Sequence, residues 1–173
     1  MRMKTTTLAA ALALVAGCGP FWVNPYITVT DSNLNWMEVH YYKTDVTPVK
    51  RTSLYMNGTG HVEVKKGTSE LISNDFAKRS ENDSWDDIRS QRYNVDPKHV
   101  REIFQTLVDA GLLDGEKLFK GTKNPRKGRF MGVKASINNQ AFTQQVNIFE
   151  ADPDLAELLL DVIHEFNSPV LRR

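Results

Sequence analysis

Four histidines, two charged runs and a single cysteine are the residues of this 173-residue chain best suited to chemistry. His40, His61, His99 and His164 show no metal-ligand spacing, with no His-Glu-x-x-His and no Cys/His cluster. His61 and Glu63 stand two apart, so on a strand they share one face. Such a pair can do acid–base work, but far more often it is solvated strand surface. His99 falls off the apolar stripe of a predicted helix. No Gly-x-Ser-x-Gly or Ser-x-x-Lys nucleophile motif occurs. Gly58-Thr59-Gly60-His61 lacks the rest of a dinucleotide fingerprint.

Glu81, Asp83, Asp86 and Asp87 crowd around Trp85. Carboxylate oxygens at this density suit calcium, and an aromatic among carboxylates suits a sugar. The glycine turn and terminal glutamate of an EF-hand are missing, so no metal site is assigned. The plainer expectation is a polar loop with one tryptophan tucked into the domain. Lys117, Lys120, Lys123, Arg126, Lys127 and Arg129 put six cations into 13 residues, interrupted by Gly121, Pro125 and Gly128. A flexible basic loop of this kind can meet an anionic surface. It can equally be a solvated counterweight to the acidic run. Arg89, Arg92 and Tyr93 form a second, sparser candidate contact.

These groups need elements to hold them. Trp36 to Tyr42 is rich in strand formers. Arg51–Met56 and His61–Lys65 flank Asn57-Gly58-Thr59-Gly60, a hairpin signal. Ser73 to Asp87 reads as a long polar loop, and Ile88 to Val95 as extended. Asp96-Pro97 is a helix start, and Val100, Ile103, Phe104, Leu107 and Val108 follow at helical spacing up to Gly111. Phe130–Ile137 and Ala141–Phe149 flank Asn138-Asn139-Gln140, a second hairpin. Asp152-Pro153 opens a second helix with Leu155, Leu158, Leu159, Val162, Ile163 and Phe166 on one stripe. Two apolar helix faces need a partner, and antiparallel strands with one apolar face supply it. The expected fold is α+β: a twisted antiparallel β-sheet with both helices packed on one face. Two strands followed by an Asp-Pro helix also suggest a repeated ββα unit.

The cysteine lies in a different kind of segment. Met1-Arg2-Met3-Lys4 is basic, and Leu8 to Ala16 is an unbroken apolar run. As a helix that run is about 13 Å long, too short for a hydrocarbon core of about 30 Å. It has the makeup of a secretory signal. Val15-Ala16-Gly17-Cys18 resembles the lipobox of bacterial lipoproteins. The resemblance covers the first 18 residues alone. It implies cleavage between Gly17 and Cys18, a diacylglyceryl group on the Cys18 sulfur and acylation of the new amino group. Gly19 after the cysteine implies the outer membrane, with the domain facing the periplasm. Two or three acyl chains, at about 0.8 kcal/mol per buried methylene, make a durable anchor.

Without Arg2 and Lys4, the 22 basic residues fall to 20 against 21 acidic. That balance offers no footprint for nucleic acid. With Cys18 lipidated, no thiol remains for a disulfide or metal, and no residue set asks for a cofactor. The expected organisation is a leader at 1–17, a short membrane-proximal segment at 18–33, one α+β domain at 34–168 and a tail at 169–173. In that segment Phe21 and Trp22 suit either lipid headgroups or docking on the domain. Tyr26 to Thr30 is a β-rich start. The expected function is a lipid-anchored envelope protein acting as a binding, scaffold or inhibitor module. Its partners would be membrane lipid through Cys18, another envelope protein, or an anionic cell-wall or lipid surface. The alternative is an envelope hydrolase in which His61, Glu63 or the Asp86-Asp87 pair converge in a pocket.

Overall fold

The computed structural model describes residues 27–69, 85–114, 129–147 and 152–167. Gly17, Cys18, Glu81, Asp83, Lys117, Lys120, Lys123, Arg126 and Lys127 lie outside these residues. The strands are β1 (Trp36–Lys43), β2 (Val49–Asn57), β3 (His61–Ser69), β4 (Asp86–Asn94), β5 (Arg129–Ile137) and β6 (Gln140–Asn147). Helix α1 (Pro97–Asp109) follows β4, and α2 (Pro153–Asn167) follows β6. The class is α+β. One antiparallel sheet of six strands runs in the order β4-β3-β2-β1-β5-β6. Among the described residues, four strands precede α1, and two more lie between α1 and α2.

Local chemistry explains the boundaries. Asn57 Oδ1 accepts from the backbone N–H groups of Thr59 and His61 at 3.1 and 3.2 Å, closing the β2–β3 turn. Asn138 and Asn139 have φ of 51° and 64°, so the β5–β6 turn is a two-residue loop of left-handed residues. That geometry matches the twist of the flanking strands. Asp96 Oδ1 caps α1 by accepting from Lys98 N at 2.8 Å, with Pro97 at the first helical position. Asp152 Oδ1 caps α2 by accepting from Asp154 N and Leu155 N at 3.1 and 3.3 Å.

Both helices lie on one face of the sheet. Val100, Phe104, Leu107 and Val108 of α1 and Leu155, Leu159, Ile163 and Phe166 of α2 share a core with one side of the strands. Met37 and Val39, Leu54 and Met56, Val62 and Val64, and Met131, Val133, Ala135 and Ile137 form that side. Each set alternates with residues pointing the other way. Among the described residues no helix is long and apolar enough to cross a membrane.

Two expectations about local conformation change. Asp86 and Asp87 belong to β4, not to a loop, because β3 offers an open edge and Thr68 pairs with Asp86. Ladder hydrogen bonds outweigh the poor strand preference of aspartate. Asp87 takes φ 53° where the register shifts between Lys66 and Thr68. Ile27 to Thr30 form no strand but a strap along one end of the sheet. Gln105 of α1 holds it by accepting from Val29 N at 2.8 Å and donating to Ile27 O at 3.1 Å. Asn138 holds it from the other side, donating to Thr28 O and accepting from Thr30 N at 2.7 and 2.9 Å. The strap continues over the β2–β3 turn, where a Cβ on Gly58 would stand 2.0 Å from Ser32 O. Only glycine permits that crossing.

Candidate functional site

The face of the sheet opposite α1 and α2 carries a cluster of ionisable groups. Three rows cross the strands in register. The first is Arg92–Glu63–Tyr55–Glu38–Lys134 and the second Ser90–Lys65–Ser53–His40–Gly132. The third is Gly67–Arg51–Tyr42–Phe130. Such a face looks like solvated surface, yet His40, Tyr42, Arg51, Ser53, Phe130 and Lys134 are buried.

Trp85 helps to bury the third row. Its ring centroid lies 4.0 Å from the Arg51 guanidinium carbon, and the Tyr42 ring lies 5.1 Å away. Buried guanidinium against aromatic faces gains the strong form of the cation–π attraction. Gly67 makes room, because a Cβ there would stand 2.6 Å from Asp86 O and 3.3 Å from the Trp85 ring. Arg51 then donates from Nε and Nη2 to His40 Nδ1, at 3.2 and 2.6 Å. An arginine has only donors, so Nδ1 is the bare nitrogen and the imidazole proton sits on Nε2. That proton is donated to Glu38 Oε1 at 2.6 Å. Burial pushes the His40 pKa below its ordinary value, and the neighbouring Arg51 and Lys134 charges add to this against the pull of Glu38. Burial pushes the Glu38 carboxyl up. The His40 hydrogen bond and the charges of Lys134 and Arg51 more than reverse it, leaving Glu38 below the usual range.

Glu63 is held by three donors. Its Oε1 accepts from Ser90 Oγ at 2.9 Å and Arg92 Nε at 3.0 Å, and Lys65 Nζ stands 3.4 Å from Oε2. Burial raises this carboxyl, but these bonds and the Lys65 charge together hold it below the ordinary glutamate value. Between the two glutamates lies a shallow hollow of about 260 Å³, lined by Glu38, Ser53, Tyr55, Glu63 and Lys65. Two strand spacings separate Glu38 from Glu63, about 10 Å. A phenol, a hydroxyl, an ammonium and two carboxylates at this spacing can bind a small polar group by hydrogen bonds.

The groups singled out from sequence are only partly brought together. His61 and Glu63 do share a face of β3, and the His61 ring is 6.3 Å from that of Tyr55. Asp86 pairs with Thr68, seven residues along β3 from His61, about 23 Å away. The Asp86-Asp87 pair therefore does not converge with His61 and Glu63. Trp85 is tucked in, with Arg51 under its ring, whereas Asp86 and Asp87 are exposed. Among the described residues no three His, Cys, Asp or Glu side chains are grouped to hold a metal ion. Arg129 is exposed at the start of β5, and Arg92 serves Glu63. His99 bonds Glu165 across the two helices at 2.8 Å.

Sequence reasoning missed the Glu38–His40–Arg51 chain. The one available signal is the alternation Glu38-Val39-His40-Tyr41-Tyr42, which puts a carboxylate, an imidazole and a phenol on one strand face. The partner arginine lies on another strand, so no local spacing marks it. No protein-family model and no curated protein matches this chain.

Proposed function

We propose that this protein is a lipid-anchored cell-envelope protein whose sheet domain binds its ligand without converting it. The anchoring half rests on Val15-Ala16-Gly17-Cys18, with Cys18 acylated and the domain held at the periplasmic face of the outer membrane. The binding half rests on the groups around the hollow. Both nitrogens of His40 are engaged, and both oxygens of Glu63 are occupied by donors. A general base needs a lone pair within reach of a substrate proton. Groups held this way serve better as a fixed, charged recognition surface, prearranged for another envelope protein or a polar cell-wall ligand.

A photoreactive residue placed at Tyr55 tests the binding half in intact cells. The expected result is a discrete crosslinked product that disappears when Glu38→Gln is added. No product at Tyr55, or turnover of cell-wall or lipid ester substrates by the purified protein, overturns it. Fractionation tests the anchor: Cys18→Ala is expected to move the protein from membrane to soluble fraction.

The repeated ββα unit is part of this proposal. β3–β4–α1 and β5–β6–α2 are each an antiparallel strand pair whose outer strand is a sheet edge, followed by an Asp-Pro-capped helix. A two-fold axis normal to the sheet, between β1 and β2, exchanges them in the strand order and reverses each direction as required.

A further inference from the structure

The hollow between the two glutamates exists because one residue on the polar face is short. Ser53 of β2 stands between Arg51 and Tyr55 along its own strand. Across the ladders it stands between His40 and Lys65. Four long side chains around a short one leave a depression, and Ser53 lines it. Ser53 is only 6% exposed, yet its hydroxyl takes part in no hydrogen bond among the described residues. A buried hydroxyl without a partner is uncommon, because its desolvation goes uncompensated. The Tyr55 hydroxyl likewise has no partner among the described residues. Glu38 gives one oxygen to His40 at 2.6 Å, and its Oε2 meets no described donor. Lys65 Nζ stands 3.4 Å from Glu63 Oε2 on a side chain 44% exposed, and an ammonium has N–H groups to spare. Unused donors and acceptors are thus gathered on three interior strands of the sheet.

The signs of charge decide what fits. An anion in the hollow would face the Glu38 and Glu63 carboxylates. A cation would face Lys65 within it, with Lys134 opposite Glu38 in register and Arg51 next to Ser53 on the same strand face. A neutral group that both donates and accepts meets a partner of each kind and is repelled by neither. A hydroxyl is donor and acceptor at once. Adjacent hydroxyls can donate to Glu38 Oε2 while accepting from Lys65 Nζ, with Ser53 and Tyr55 serving in either sense. The volume of about 260 Å³ lies just below the range of about 300–1,000 Å³ typical of small-molecule sites. It takes one ring-sized unit and leaves the rest of a chain in solvent. We infer that the hollow binds a neutral sugar unit through its adjacent hydroxyls, held by Glu38, Ser53, Tyr55 and Lys65. The inference rests on the sheet face being a binding surface and names the chemistry of its ligand.

The test applies the full chain carrying Cys18→Ala to an array of immobilised neutral and acidic glycans, at about 50 and about 200 mM salt. The expected result is retention on neutral glycans that neither acidic substituents nor low salt strengthens. Ser53→Ala and Tyr55→Phe each delete one hydroxyl and should weaken retention by about fivefold, the worth of one hydrogen bond. Glu38→Gln should weaken it by roughly tenfold or more, because it removes a charged acceptor. If Glu38→Gln lowers the melting midpoint, the two hydroxyl deletions decide, since neither residue belongs to the core. Competition by a free monosaccharide marks a soluble sugar as the source, and competition by longer chains alone marks a polymer; either supports the inference. No retention on any neutral glycan, retention unaltered by Ser53→Ala and Tyr55→Phe, or retention that follows negative charge overturns it. A protein crosslinked at Tyr55 with no glycan retained removes the sugar and leaves the binding reading standing. Neither crosslink nor glycan removes both.

Discussion

His40 is neutral because of where it is. Arg51 donates to its Nδ1, the surroundings are dry, and an imidazolium would face a guanidinium. Its folded pKa lies below the unfolded value of about 6.5, so below that pH the unfolded chain binds the extra proton first. Stability is therefore full above about pH 6.5 and falls on acidification until the folded pKa is passed. Thermal melts across pH 8 to 5 are expected to show a falling midpoint in the native protein. They should show a flatter profile in His40→Gln, which can still donate to Glu38. Equal slopes would mean that His40 does not govern the acid response. A reader of the sequence could place His40 on a strand, but not opposite Ser53 and one row from Arg51. That pairing is a relation between strands whose register is not written in either segment.

The elements were largely legible because their signals are local. Asp-Pro caps, helical apolar spacing and Asn-rich turns act within a few residues, and α1, α2 and both hairpin turns appear where those signals stand. β4 was harder. Asp86-Asp87 has no strand preference and joins the sheet because the β3 edge accepts it. The strap was harder still, since Ile27 to Thr30 has β-forming residues but takes its hydrogen bonds from Gln105 and Asn138, more than 70 positions away in sequence. Gln105→Ala removes two of those bonds and leaves the buried face of α1 untouched. Amide exchange at Val29 should then speed by about tenfold or more, at about 1 kcal/mol per lost hydrogen bond, while the Leu107 amide keeps its protection. Unchanged exchange at Val29 would show that burial of its side chain alone holds the strap.

At the scale of the whole molecule, one core joins both helices to β1, β2, β3 and β5, and Tyr93 of β4 and Phe142 of β6 pack against it. Phe166 of α2, 1% exposed, belongs to that core and packs its ring 6.4 Å from Tyr93 on edge strand β4. Phe166→Ala should cost about 3–5 kcal/mol and lower the urea midpoint equally by tryptophan fluorescence and far-UV dichroism. Separate midpoints would mean that the two ends of the sheet unfold independently. The sequence alone settled the fold class, the helices, the turns and the alternation of the strands, because propensity, capping and periodicity are local. It also defined the lipobox resemblance at Cys18. Only the tertiary structure decided that β5 lies beside β1, and with it everything that depends on lateral neighbours. The His40–Arg51 contact, the Trp85 cover and the hollow between Glu38 and Glu63 are all cross-strand relations. Each is set by which edges pair and in what register, a choice made by the packing of the whole core.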